Sequence, residues 1–119
     1  MIENIAGVVF WTEDVERMAV FYRDVLGLPV HSWRPTFVAF EAGGQRLNVG
    51  KHDGVSGRAK DPFRIMVHLN VRDIQQIYAQ MQAHGVVFIR PPEREHWGGW
   101  VATFEDPDGN ILQLLQQPE

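Results

Sequence analysis

The residue with the clearest chemical potential in this sequence is His68, in the second half of the chain. An imidazole titrates near neutral pH, so this side chain could act as a general base, a metal ligand or a ligand contact. The alternative is a structural histidine that hydrogen-bonds a neighbouring group. Both interpretations stay open from the sequence, and we take His68 as the candidate catalytic residue.

Two glutamates and two further histidines could join His68 around a metal ion. Glu41 and Glu105 occupy matching places near predicted strand ends, while His52 and His96 lie in two irregular segments. Imidazole and carboxylate are the usual ligands of divalent transition metals, and three of them must meet at one point. The alternative is that the glutamates are charged strand ends in water and the histidines are exposed loop residues.

Tryptophans offer flat apolar surfaces to a ligand. The chain has four of them: Trp11, Trp33, Trp97 and Trp100. Trp97 and Trp100 flank a flexible glycine pair and could close with Trp11 on a planar molecule, where stacking adds about 0.5–1.5 kcal/mol per aromatic pair. The alternative is packing in a core or a dimer interface, which we favour for Trp33.

The elements that must position these residues occur twice in the same order. The first half predicts strands at Ile5–Trp11, Val30–Trp33, Phe37–Glu41 and Arg46–Val49, and a helix between the cap Asp14 and Gly27. The second half predicts strands at Ile65–Val71, Val86–Ile89, Trp100–Glu105 and Ile111–Leu115, and a helix between Asp73 and Gly85. Residues 90–99 are predicted as an irregular loop.

This internal repeat predicts an α+β fold of two tandem βαβββ modules within one domain, residues 1–119. Module one covers about 1–50, a polar and mobile linker covers 51–62, and module two covers about 63–119. We expect the strands to form a cup-shaped mixed sheet with the helices on the outside, so that the two halves face each other across a pocket.

Strand alternation predicts which side chains face the helix and which face the pocket. The helix-facing sets are Ala6, Val8 and Phe10 in the first half, and Ile65, Val67, Leu69 and Val71 in the second. The opposite sets are Gly7, Val9 and Trp11, and Met66, His68 and Asn70.

Bulk properties exclude several classes of function. The chain has 119 residues, 45% hydrophobic and 22% charged, which is enough to bury a core. The formal net charge is −4 and the pI is about 5.7, so we expect neither nucleic acid nor membrane as a partner. There is no cysteine, and the first eleven residues lack the features of a signal peptide. We therefore expect a cytoplasmic protein.

Several motifs, in this order, resemble the vicinal oxygen chelate superfamily, which includes glyoxalases, bleomycin resistance proteins and extradiol dioxygenases. They are Phe10-Trp11-Thr12-Glu13-Asp14, Phe21-Tyr22-Arg23-Asp24-Val25-Leu26-Gly27-Leu28, Trp97-Gly98 and Asp106-Pro107-Asp108-Gly109-Asn110. The resemblance covers essentially the whole chain. It implies the paired βαβββ modules and, because many members form dimers, a homodimer.

The resemblance also implies four positions at which metal-dependent members carry their ligands. Gly7 and Met66 stand where a histidine typically lies seven residues before the helix cap, Gln113 stands where a glutamate is typical, and Asn48 is its first-half counterpart. Neutral amides and thioethers bind iron, zinc and manganese weakly. We therefore expect no metal cofactor, the alternative being a divalent transition metal at a relocated site around His68.

The sequence thus supports a small-molecule-binding protein of the bleomycin-resistance type that breaks no bond. Its predicted pocket residues are Trp11, Asn48, Met66, His68, Asn70, His96, Trp97, Trp100 and Gln113. The alternative is a lyase, isomerase or dioxygenase, either with a relocated metal around His68 or metal-free with His68 as base. A third possibility is a dimeric interaction module with a filled pocket.

Overall fold

Aspartate caps and alternating apolar residues generate the same order of elements twice. The computed structural model describes residues 1–119, which divide into two compact units, Met1–Gly57 and Arg58–Glu119. Unit 1 contains β1 (Gly7–Thr12), α1 (Val15–Val20) with a π-helical continuation (Phe21–Val25), β2 (Val30–Arg34), β3 (Phe37–Ala42) and β4 (Gln45–Lys51). Unit 2 contains β5 (Val67–Asn70), α2 (Ile74–Ala83), β6 (Phe88–Arg94), β7 (Trp100–Glu105) and β8 (Ile111–Gln116).

Each unit forms one open, four-stranded mixed sheet. The strand orders are β1-β4-β3-β2 and β5-β8-β7-β6, and the two topologies are equivalent. The opening strand pairs in parallel with the last strand of its unit, and the other pairs are antiparallel. The predicted α+β fold of two tandem βαβββ modules is confirmed.

Both helices begin at the predicted aspartates. The Asp14 side chain accepts a hydrogen bond from the Arg17 backbone N–H at 3.1 Å, and Asp73 accepts one from Gln76 at 3.2 Å. The first helix departs from the expected regular helix, because its second part is π-helical and the Leu26 N–H bonds to the Phe21 carbonyl. No helix in either unit has the length and apolar character needed to cross a membrane.

The core of each unit lies between its helix and one face of its sheet. In unit 1 the fully buried Tyr22 stacks on Phe10 at 5.5 Å and contacts Phe40. In unit 2 Tyr78 of α2 meets Phe88 edge-on at 4.6 Å, and Phe88 contacts the buried Phe104. The helix-facing parity predicted for Phe10 is therefore correct, and the opposite face of each sheet is open to other groups.

Three predicted segments differ from the structure. Strand β1 begins at Gly7, so Ile5 and Ala6, which we placed in the strand with Ala6 under the helix, lie before it and are exposed. Strand β5 begins at Val67, and Ile65, which we placed under the helix, is 81% exposed. The partner strand β8 begins at Ile111 and pairs Leu112 with Val67, so it has no residue in register with Ile65.

The predicted loop at residues 90–99 is instead mostly strand β6, which extends to Arg94 through Pro91 and Pro92. Proline has no N–H for a sheet ladder, but β6 is an outer strand and its pairing with β7 is interrupted twice by register shifts. The remaining five residues form a turn in which the Glu95 N–H donates to the Gly99 carbonyl at 2.8 Å.

Candidate functional site

A transverse row of four residues crosses the open face of the unit 1 sheet. Trp11 pairs with Gly50, Gly50 with Phe37, and Phe37 with Arg34. Residues in register on neighbouring strands project from the same face, so the four positions form one continuous line. We call this line, Trp11, Gly50, Phe37 and Arg34, the aromatic row.

The two rings of the aromatic row lie over a glycine that leaves room for them. Trp11 and Phe37 have ring centroids 6.2 Å apart and an interplanar angle of 60°. A Cβ atom on Gly50 would lie 2.6 Å from Cζ3 of Trp11 and 2.8 Å from Cδ2 of Phe37. The Trp11 and Phe37 rings therefore occupy the space that a side chain at position 50 would need. Trp11 nevertheless remains 41% exposed, so an aromatic surface is accessible.

His52 extends this aromatic surface from the segment after β4. Its ring meets Trp11 edge-on at 5.5 Å, and its Nδ1 accepts a hydrogen bond from the Gly54 backbone N–H at 2.9 Å. With Nδ1 as an acceptor, a neutral His52 carries its proton on Nε2. The segment is also tied to unit 1 by the Gly57 N–H, which donates to Oε1 of Glu13 at 2.7 Å.

The next row on this face carries Asn48, between Val9 on β1 and Ala39 on β3. The Oδ1 atom of Asn48 is buried and has no hydrogen-bond partner. Buried carbonyl oxygens are nearly always hydrogen-bonded in folded proteins, so Asn48 is a polar group with unused acceptor capacity. It shares its face with Trp11, as the sequence predicts.

The last row of the unit 1 face is ionic. Nη1 of Arg46 lies 2.7 Å from Oε2 of Glu41, and Nδ1 of His31 lies 3.1 Å from Oε1 of the same carboxylate. Glu41 is therefore already engaged by two partners.

The open face of unit 2 carries His68 in a more polar setting. His68 is in register with Gln113, and Gln113 with Thr103, whose Oγ1 accepts a hydrogen bond from the Gln113 Nε2 at 3.1 Å. His68 is exposed and makes no hydrogen bond or ion pair. Asn70 follows on the same face, where its Oδ1 accepts a hydrogen bond from Gln117 at 3.3 Å. The structure brings His68, Asn70 and Gln113 together on one face.

An arginine on the outer strand is the last member of the line that runs from His68 through Gln113 and Thr103. Arg90 pairs with Thr103 and forms ion pairs with Glu93 at 3.2 Å and Glu95 at 2.6 Å. Hydrogen bonds to these two carboxylates, Glu93 first, raise the pKa of Arg90 above its ordinary value. Arg90 is thus committed to neighbouring side chains.

The other predicted pocket residues of unit 2 lie elsewhere. Met66 is half-buried directly before β5, and the exposed His96 lies in the turn between β6 and β7. The Trp97 ring in the same turn lies against Gly99, at the place a Cβ of residue 99 would take. Trp100 lies on the helix-facing side of the sheet. Its register partner is Gln116, and the side-chain Oε1 of Gln116 accepts a hydrogen bond from the backbone N–H of Ile74 in α2 at 2.7 Å. The sheet therefore separates Trp100 from His68.

Trp100 belongs to a different concavity, on the helix side of unit 2. A cavity of about 340 Å³ is lined by Arg94, Trp100 and Gln116 together with the chain end at Gln117–Glu119. A larger cleft of about 800 Å³ lies along α2 and shares Gln116 and Glu119 with it.

The residues present do not fit the divalent metal that the family resemblance implies. Gly7 has no side chain, and a Cβ there would overlap the Arg46 carbonyl group. Asn48 and Gln113 are neutral amides, and Met66 offers only a thioether. No group of three or more His, Asp or Glu side chains in the chain could hold a metal ion, so the relocated cluster around His68 is not formed. Glu105, one of the two carboxylates suggested for that cluster, instead forms an ion pair with Arg58 at 3.3 Å.

Sequence reasoning missed three of the four members of the aromatic row. Phe37 was treated only as a strand residue, and Gly50 lay just beyond the strand predicted at Arg46–Val49. The hairpin around Gly43-Gly44 nevertheless pairs the two, because Phe37 is as far before Ala42 as Gly50 is after Gln45. Arg34 lies directly across the two-residue turn Pro35-Thr36 from Phe37, but the strand predicted at Val30–Trp33 stopped one residue short of it.

Comparisons with known proteins agree on one family. The model of the Glyoxalase/Bleomycin resistance protein/Dioxygenase superfamily matches residues 4–114. The bleomycin resistance protein of Klebsiella pneumoniae is 27% identical over 114 residues, covering 88% of this chain and 86% of that protein. An uncharacterized protein of Shewanella frigidimarina is 39% identical over 66 residues, covering 56% of this chain and only 47% of that relative. A solved protein of unknown function from Agrobacterium tumefaciens has a TM-score of 0.83 at 25% identity, covering 98% of this chain and 96% of that one.

Proposed function

This chain belongs to the Glyoxalase/Bleomycin resistance protein/Dioxygenase superfamily, and we propose that within it the chain binds a small organic molecule without a metal at the family's ligand positions. The bleomycin resistance protein among its relatives makes sequestration of a ligand a natural role. In this role the protein holds its ligand and breaks no bond.

One observation carries the proposal, the exposed aromatic pair on the open face of unit 1. Trp11 is 41% exposed, yet its ring is held in place by Phe37, His52 and the space over Gly50. Small-molecule sites combine aromatic surfaces with a few polar groups, and a positioned ring loses little freedom when a ligand stacks on it. Asn48 supplies a polar group one row away.

The donor chemistry at the four family positions supports the metal-free part of the proposal. Glycine, methionine and two amides provide neither imidazole nor carboxylate, and Gln113 already donates to Thr103. Binding would therefore depend on stacking, hydrogen bonds and charge alone.

We extend the proposal to the assembly and the location expected from the sequence. The protein would be a cytoplasmic homodimer. Dimers are common in the superfamily, and a sequence without cysteine suits a reducing compartment.

A metal-free enzyme is the second candidate, and the exposure of His68 favours it. A histidine on the open face that makes no hydrogen bond is free to take a proton from a bound molecule. If His68 is the base of a metal-free enzyme, His68→Ala would abolish turnover and spare ligand binding. If the protein only sequesters its ligand, there is no turnover for His68→Ala to abolish.

Metal analysis of the protein purified without chelator tests the proposal. We expect less than stoichiometric iron, zinc, manganese and nickel in the wild type and in His68→Ala, with His84→Ala as a matched control at an exposed histidine. A stoichiometric transition metal that disappears only in His68→Ala would overturn it.

A thermal-shift screen of small aromatic metabolites tests ligand binding itself. A molecule that binds only the folded state stabilises it by about 2.7 kcal/mol at a hundredfold excess over its Kd. We expect at least one saturable rise in Tm that Trp11→Leu reduces. A complete screen with no such rise would contradict the proposal.

A further inference from the structure

We infer that the aromatic row selects planar aromatic carboxylates, with the ring against Trp11 and Phe37 and the carboxylate on Arg34. The inference rests on the proposed function and deepens it by naming the class of ligand.

The geometry of the row places an aromatic surface and a cation on one line. Neighbouring strands lie about 4.8 Å apart, so the Cα atoms of Trp11 and Phe37 are about 10 Å apart, and Arg34 is about 5 Å beyond Phe37. All four positions are in register and on the same face. A flat ligand lying along this line would meet aromatic side chains first and a guanidinium at its end.

Arg34 is available for a ligand because nothing in the chain neutralises it. It is exposed and forms no ion pair or hydrogen bond. The other arginine on this face, Arg46, is held by Glu41 at 2.7 Å. A guanidinium presents several N–H donors in a plane, and this arrangement fits a carboxylate with two parallel hydrogen bonds.

Two carboxylates on or beside this face have partners. Glu41 lies at the other end of the face and contacts both Arg46 and His31. Glu13, which follows β1, accepts the Gly57 backbone N–H at 2.7 Å. Arg34 is the only charged member of the aromatic row, although the whole chain has a net charge of −4. This local charge favours an anionic aromatic ligand over a cationic one.

Three naphthalene probes that differ only in charge test the inference on the intact protein. Isothermal titration would compare 2-naphthoate, the neutral 2-naphthamide and the cationic 2-naphthylmethylamine. We expect 2-naphthoate to bind about fivefold more tightly than 2-naphthamide, the value for an ion pair that stays in contact with water, and the amine to bind least. The preference should decrease with added salt.

Variants assign the preference to the row. Arg34→Gln should bind the acid and the amide equally, while Arg64→Gln, which removes the same charge from an exposed site in unit 2, should keep the wild-type preference. Trp11→Leu should weaken both probes and leave their ratio unchanged. Circular dichroism of each variant confirms that it is folded.

The failure of this inference is distinguishable from the failure of the proposed function. Equal binding of acid and amide, tighter binding of the amine, an Arg34→Gln variant that keeps the preference, or no binding of any probe would each overturn the inference. The first three of these results would leave small-molecule binding intact. The proposed function fails separately, through the metal analysis and the wider metabolite screen.

Discussion

Replacing Gly50 with alanine is the sharpest test of how the aromatic row is built. The new methyl group would lie 2.6 Å from Cζ3 of Trp11 and 2.8 Å from Cδ2 of Phe37, and both distances are well inside van der Waals contact. Overpacking of this kind costs about 1–3 kcal/mol. Trp11 is 41% exposed and can turn away, so we expect about 1 kcal/mol, near the lower end of that range.

Chemical denaturation measures this cost, and a double-mutant cycle identifies its cause. A loss of about 1 kcal/mol corresponds to a decrease in Tm of about 3–6 °C for a chain of this size. In a Trp11→Leu background the ring that the methyl group meets is gone, so Gly50→Ala should cost at most half as much. The remainder reflects the contact with Phe37.

The same variant also predicts a change in binding. Displacing Trp11 changes its position relative to Phe37, so Gly50→Ala should weaken the binding of any ligand that stacks on the row. If Gly50→Ala leaves stability unchanged, or costs the same with and without Trp11, then the glycine does not seat the rings and the reasoning is refuted.

Three further substitutions test other parts of the account. Gln116→Ala removes the acceptor for the first N–H of α2 and should lower stability by about 1 kcal/mol in urea denaturation. Asp106→Ala deletes a buried carboxylate that accepts three hydrogen bonds in the β7–β8 turn and should cost about 3 kcal/mol by the same assay. Gly7→His restores a histidine at a family metal position, but it should lower Tm and yield no stoichiometric zinc by elemental analysis, because its Cβ overlaps the Arg46 carbonyl group.

Matched controls separate these effects from general damage. Gln117→Ala, at an exposed amide with a single 3.3 Å hydrogen bond, should change stability by less than about 0.5 kcal/mol. Asp53→Ala, at an exposed carboxylate, should also be nearly neutral. A Gln117→Ala cost equal to that of Gln116→Ala, or a stable Gly7→His protein with bound zinc, would contradict the structural reasoning.

The fold was predictable because several local signals agreed. Asp14 and Asp73 cap their helices, the apolar stripes follow them, and strand alternation places Phe10 under the helix and Trp11 opposite. These are short-range consequences of side-chain chemistry and backbone geometry. The length of β5 was not predictable, since it depends on where its partner β8 begins.

The candidate site was only partly predictable, because a site depends on register between strands. Asn48 and Trp11 share a face, as alternation predicts. Arg34 was missed because the predicted strand ended at Trp33, although the turn Pro35-Thr36 places Arg34 opposite Phe37. Trp100 shows the opposite error, since we grouped it with Trp97 by proximity in sequence and its register places it on the helix side.

The most direct test of the central claim is to observe the four tryptophan side chains while a ligand binds in the presence of EDTA. The indole N–H signals in a nitrogen–proton correlation spectrum report each ring separately, and the Trp11→Leu variant assigns Trp11. On titration with 2-naphthoate, the account predicts a saturable shift of the Trp11 signal, while Trp33, which lies under Arg23 on the helix side, stays unchanged. A shift confined to the other tryptophans, or one that requires an added metal ion, would contradict it.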